Sequence, residues 1–473
     1  MKLQMTKAVS RRSFAAVASV ALPLGLITGC AASSEPAATS SSSNSTTNAS
    51  GEFDWKALSG QEINIGFSAH PLSDALIEVI PDFEALTGIK VNYEVAPEAD
   101  FRAKLNSQLQ AGSSAFDIYM TGPATNWGYV DNGWIEDLQP YIDNPALTAP
   151  EWNFADFYQN AVNVNRWTGE PFAGQGEGPL YGIPMNEEGY AIMYRKDIFE
   201  AEGIAEPQTI DDLIAAAAKL DGKTYDGKRI DGFVARGIDN WGPLITGYGT
   251  FLGAYGATDL KADGTTAIAT PEVIEATKKW VEVMQYAPAD VASYDWQQVQ
   301  SHFAAGNAAI MIDADHMAAV FEDPEQSAVA GKVGYALPPE GPAGRTSGIW
   351  LWSLAMNAAS DHKDAVWYFI QWASLPEQME KQVLAGSINP TRASVANSET
   401  MLNYVANWDD YNDIWTTILD QYAKWRWNPS VDFDQAYNTW AKAVQAALLG
   451  ADVEQSLKDA EPVINKVFER SRG

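Results

Sequence analysis

Cysteine occurs once in 473 residues and histidine only four times. A single cysteine excludes a disulfide framework and any Cys-cluster zinc site. So few histidines exclude most transition-metal sites as well, and no metal or cofactor is expected. Positive charge is scarce: 31 Lys and Arg stand against 61 Asp and Glu, a formal net charge of −30. Such an acidic surface repels phosphate backbones and excludes nucleic-acid binding. Beyond the N-terminus there is no apolar run long enough to span a membrane. The chain also lacks an internal repeat, an HExxH, a G-x-S-x-G elbow and a P-loop lysine motif. No catalytic constellation stands out, so the chain does not read as an enzyme.

Hydrophobic residues, at 46% of the chain, supply more than one core, so two or three domains are expected. Tryptophan is abundant, at 17. Lys2, Lys7, Arg11 and Arg12 precede a short apolar run from Phe14 to Ile27, the layout of a signal peptide. Ser10-Arg11-Arg12-Ser13-Phe14 resembles the twin-arginine export motif, although a general-secretion leader can also carry two arginines. Ile27-Thr28-Gly29-Cys30 resembles a bacterial lipobox, which implies lipidation of Cys30 after removal of residues 1–29. The processed chain then carries −34. Residues 30–52 are Ser, Thr, Ala and Asn with almost nothing apolar, and read as a flexible tether. A lipid followed by a tether places a soluble module at the outer face of the cytoplasmic membrane.

The rest alternates strands and helices. Ile63–Phe67, Ile89–Val95 and Phe116–Thr121 read as strands, separated by helices around Leu76–Leu86 and 99–111. This order predicts a parallel sheet with right-handed crossovers. Pro81 implies that the first helix kinks or starts late. Caps at Thr209, Thr270 and Ser360 open further helices. Strands 309–312, 333–337 and 349–355 interleave with these, and the last ~90 residues read as helical. Gly174–Gly182 reads as a mobile loop. Residues 221–232 read as a solvated turn, their aspartates lacking EF-hand spacing.

Several segments, in order, resemble the family 1 extracellular solute-binding proteins, the carbohydrate-binding subunits of ABC importers. They are PDFEALTGIKVNYEV, LYGIPMNEEGYAIMYRKDIFEAEGI with PQTIDDLIAAAAKL, FAAGNAAIMIDAD, VGYALPPEGP, IWLWSLAMNAASDHKDAVWYFIQWAS and INPTR. Together they span about 60–465. VARGIDNWG, GIWLWSLAM and FIQWAS resemble the branch that binds sugar alcohols and small sugars; INPTRAS departs from that branch. The resemblance implies an α/β, two-lobed fold of the type II periplasmic-binding-protein kind. Each lobe is a mixed sheet flanked by helices, with the ligand in the cleft between them. By analogy the first lobe is 60–187 with 334–378, and the second 188–333 with 379–473.

A sugar or polyol presents C–H faces and a fringe of hydroxyls. It needs flat aromatic walls, carboxylates that accept hydroxyl protons, and forked arginine donors. Candidates lie in loops after strands and at the crossing segments, since ligands of open α/β sheets bind beyond the strands' carboxyl ends. They are Ser68 and His70 after the first strand, and Thr121, Asn126 and Trp127 after the third. Arg236, Asn240 and Trp241 lie in one loop, Asp313 and His316 after a later strand, and Trp350 at the lobe boundary. Arg392 and Trp425 complete the set. The resemblance aligns Glu188 with a sugar-binding glutamate, Glu187 being its neighbour, and His316 with a position that often stacks. Trp280, Trp367, Trp372 and Trp440 fall on helical patterns and read as core. One tryptophan of each close pair is expected to face the core, and His302 and His362 read as helix residues without partners. The reading is an exported, monomeric receptor that hands a small carbohydrate or polyol to a membrane permease. A lipid-anchored glycoside hydrolase, which also uses acid pairs and Trp-rich clefts, is the alternative.

Overall fold

The computed structural model describes residues 52–472; the expected leader, Cys30 and the tether through residue 51 lie outside the described residues. Among the described residues, no helix is long and apolar enough to cross a membrane. The fold is two-lobed, built on one seven-stranded mixed sheet. Glu62–Ser68 lies between Lys90–Ala96 and Ile118–Thr121, parallel to both, as strand–helix–strand order requires. Ile349–Met356 runs antiparallel to Ile118–Thr121 and to residues 183–189 of the long strand Ile183–Arg195. The far end of that strand then pairs with Ile310–Ala314 on one edge and Val333–Ala336 on the other. One strand thus belongs to both lobes.

Expected lobe boundaries fall inside secondary-structure elements. The one at 333/334 lies within strand Val333–Ala336, which pairs with 192–195. The boundary at 378/379 falls inside helix Pro376–Leu384, which packs as one rod on helix Pro71–Thr87.

The first helix starts earlier than Pro81 suggests. His70 caps it: Nδ1 accepts the Leu72 N–H at 3.1 Å, and the His70 N–H donates to Ser73 Oγ at 3.1 Å. Pro71 at the first turn loses nothing, because N–H groups there have no helical acceptor. With both ends fixed (Gly88 closes the helix at φ 74°), the helix runs through Pro81. Gly174–Gly182 is not a loop: Gln175–Leu180 is a strand paired with Arg166–Trp167. Residues 224–229 form a two-stranded hairpin, which accounts for the turn expected there. His302 has a partner after all, its Nε2 lying 2.9 Å from Asp231.

Helix Lys363–Ala373 is buried on nearly every side, with Trp372 in the core beside Phe83 and Phe369 and Trp367 against Trp152. Trp280 and Trp440 are also fully buried. Three chain segments meet at the fully buried Ser347. Its Oγ accepts the Tyr190 N–H at 2.8 Å; its N–H donates to Tyr422 O at 3.0 Å; its carbonyl accepts the Lys424 N–H at 3.1 Å. Tyr422 ends a π-helical turn, Ile418–Tyr422.

Candidate functional site

Strand pleating makes the site. Trp350 and Trp352 are two apart on Ile349–Met356, so both point to the same face. Neither is the core member of its pair: both line a cavity of about 370 Å³, counted to its open mouth. His70, Glu98, Glu188, Tyr190, Arg236, Trp241, Ile245, Trp296, His316 and Met317 complete the lining. A second chamber of about 730 Å³ shares Glu98, Arg236, Trp241 and Trp296, and adds Arg102, Asn240, Asp295, Asp434 and Asn438. The lining draws on strands Ile183–Arg195 and Ile349–Met356 and on the segments after Glu62–Ser68 and Ile310–Ala314.

Trp350 reaches its place because residue 122 is glycine: a Cβ there would lie 2.0 Å from the indole. Trp241 and Trp350 sit 5.3 Å apart at 35°, and Trp352 meets Trp350 edge-on at 5.6 Å. Beside them, one oxygen of Glu188 gathers three nitrogens. Trp352 Nε1 donates to Oε1 at 2.7 Å, and His316 Nε2 and His70 Nε2 lie 3.3 and 3.5 Å from the same atom. Burial pushes the Glu188 carboxyl up, but the two imidazoles outweigh it and hold it well below its ordinary value. Burial pulls His316 down, and Glu188 more than restores it, so its pKa is raised. For His70 burial wins and the pKa falls. The Tyr190 hydroxyl, buried against this cavity, has no hydrogen-bond partner.

Two of the four histidines therefore share one carboxylate, which composition alone did not suggest. His70, Glu188 and His316 place one ligand atom each within 4.8 Å, a grouping able in principle to hold a cation. The cap geometry opposes it. His70 Nδ1 accepts a backbone N–H, so Nε2 carries the proton and donates. A metal would need that lone pair free.

An acid pair lies next to this cluster. Glu187 and Asp315 are buried, and both Glu187 oxygens and Asp315 Oδ2 are unpartnered. Asp315 Oδ1 accepts from Asn389 Nδ2 at 2.7 Å and from the Gly189 N–H at 3.2 Å. Burial, then repulsion from Asp315 and Glu188, lifts Glu187 well above the carboxylate range. Burial raises Asp315 to about 7; Glu188 adds to the rise and His316 opposes it. For an acid whose folded pKa is raised, the protonated form favours folding, so stability falls as pH climbs from about 4 to about 7. The raised His316 works in the same direction, its contribution disappearing as pH rises through its folded pKa. Between about pH 5 and pH 8 the melting temperature of the wild type is expected to decline. Asp315→Asn should flatten that slope, and scanning calorimetry giving equal slopes would refute the assignment.

Of the residues expected at the site, His70, Glu188, Arg236, Trp241, His316 and Trp350 line the cavity, and Asn240 lines the adjoining chamber. Ser68 and Thr121 line a smaller space of about 230 Å³ behind Trp352. Asn126 is buried beside them, accepting from Thr121 Oγ1 at 2.8 Å. Trp127 is core, packed edge-on against Trp425 and Phe433. Trp425 backs the wall, 6.1 Å behind Trp350, and does not line it. Asp313 is fully buried as the counter-ion of Arg236, 2.9 and 3.1 Å from its Nε. Arg392 is also spent internally: it donates to the Trp152, Asn153 and Ser374 carbonyls, pairs with Asp156, and lies over Phe157 at 3.9 Å. Glu98, Arg102, Tyr190, Trp296 and Trp352 were not anticipated. Glu98 follows a parallel strand and opens a helix, a position where the strand-end rule applied to the second strand finds it.

Residues 69–380 match the family described as bacterial extracellular solute-binding protein. The chain is 33% identical over 422 residues to the erythritol/L-threitol-binding protein of Mycolicibacterium smegmatis, covering 88% of this chain and 87% of that one. It is 26% identical over 297 residues to the mannitol-binding protein of Pseudomonas aeruginosa, covering 62% and 63%. A solute-binding protein from Agrobacterium radiobacter, solved with ribitol, superposes with a TM-score of 0.76 at 23% identity, over 86% of this chain and 99% of that one.

Proposed function

Because the chain belongs to the bacterial extracellular solute-binding protein family, we propose that it is the receptor of an ABC importer for a short sugar alcohol. The carrying observation is that Trp241, Trp350 and Trp352 meet Glu188 in the lining of one small cavity. Indole faces cover the C–H edges of a polyol; a carboxylate accepts its hydroxyl protons, and Tyr190 supplies an uncommitted hydroxyl. The relative named for erythritol and threitol favours a tetritol over an oligosaccharide. Binding works by bias: a ligand that touches walls from both lobes holds them together, and the joined form is what a permease engages. We assign the first-lobe wall to His70 and Glu98, the second-lobe wall to Arg236, Trp241 and His316, and the boundary to Glu188 and Trp350. Cys30 supplies the lipid anchor in this reading, outside the membrane.

Glycoside hydrolysis fits poorly. It needs a protonated acid in the cleft, and Glu188, with three nitrogens on one oxygen, is held as the anion. A calorimetric panel tests the proposal: erythritol and L-threitol are expected to bind more tightly than mannitol, and maltose not at all. Tight maltose binding with no response to polyols would overturn it.

A further inference from the structure

Arg102 stands outside the inner cavity but touches four side chains that line it. It is carried on helix Glu98–Gln110. Its guanidinium carbon lies 5.2 Å from the Trp241 ring, 5.8 Å from Trp350 and 5.9 Å from Trp352. Nε and Nη2 both donate to Glu98 Oε1, at 3.0 and 2.8 Å, and Nη1 donates to Thr125 Oγ1 at 2.7 Å. A planar cation satisfied in its own plane by Glu98 and Thr125 leaves its flat faces for indoles. Trp241 comes from the segment 236–241, whereas Arg102, Glu98 and Thr125 come from the first helices, so the contact spans the cleft.

Resting on the polyol reading, we infer that Arg102 is the positioning residue of the site: it sets the tryptophan wall and Glu98, and holds Trp241 against the first lobe. It acts through those groups and does not touch the ligand. The Glu98–Arg102 pair is mostly buried, its side chains 22% and 25% exposed, so losing Arg102 costs some folding stability as well as the order of the wall.

The test compares wild type with Arg102→Ala and Arg102→Lys. Lysine keeps the charge but has neither the flat face nor the fork. With erythritol, both variants are expected to release ligand on the order of tenfold faster in stopped-flow tryptophan fluorescence, while both still unfold in one cooperative transition. Unchanged release in Arg102→Ala, or full recovery in Arg102→Lys, overturns the inference. A second reading needs no ligand. Indoles held 5.3 Å apart give a coupled near-ultraviolet circular dichroism band. The band is expected to weaken in both variants while the far-ultraviolet spectrum stays. If it is unchanged in both, the inference is wrong whatever the polyols do; if it weakens but wild type binds no polyol, only the choice of ligand is wrong.

Discussion

Glu188→Ala abolishes ligand capture, with an expected loss of a hundredfold or more in calorimetric affinity, about 3 kcal/mol. The size follows from what the carboxylate does. It is 5% exposed, and its Oε1 is the shared partner of the Trp352 indole and of two imidazoles. Alanine leaves three N–H groups facing a closed space with no acceptor. The raised pKa of His316 depends on the same charge, so that imidazole also loses its reason to stay protonated. Trp352 then has no fixed rotamer, and the wall opposite the ligand loosens. Glu188→Gln separates charge from shape: its amide oxygen still accepts from Trp352, so it should bind more weakly than wild type and more tightly than alanine. Wild-type affinity in Glu188→Ala would remove the residue from the site.

Arg236→Ala costs folding stability before it costs binding. Asp313 has no exposed surface, and its remaining hydrogen bond is from the Ala314 N–H at 2.8 Å. Removing the guanidinium strands a buried carboxylate, a change worth about 3–5 kcal/mol. The expected result is a clear drop in the urea midpoint with the slope unchanged. Arg236→Met combined with Asp313→Leu removes both charges and is expected to recover most of the loss, while ligand affinity stays low because Arg236 lines the cavity. If Arg236→Ala unfolds at the wild-type midpoint, the pair carries no stability.

How far residue type predicts role shows in three arginines. Arg236, Arg392 and Arg102 are alike in chemistry. The first sits in a strand-end loop and lines the cavity, as its position implied. Arg392 also sits in a loop, but its targets are the carbonyls of Trp152, Asn153 and Ser374, more than 200 residues away in two cases, and no local pattern reveals such partners. Arg102 was invisible for the opposite reason: on an amphipathic helix, Glu98 and Arg102 look like a solvated surface pair. The parallel order of the first three strands was legible because periodicity and short connections are local. The lobe boundaries were not, because a strand shared by two lobes has no mark in sequence where one lobe ends. Trp350 and Trp352 point together because a pleat has a period of two, a rule that overrides the expectation of one core member per pair.

The hydroxyl of Ser347 bears on how the lobes can separate. Three connections joining two bodies would ordinarily permit a slide as well as a swing. Here the 190, 347 and 422–424 backbones are fastened at one residue, so they cannot advance past one another without breaking that knot. Sliding any one of these backbones past the others therefore costs hydrogen bonds at a fully buried residue.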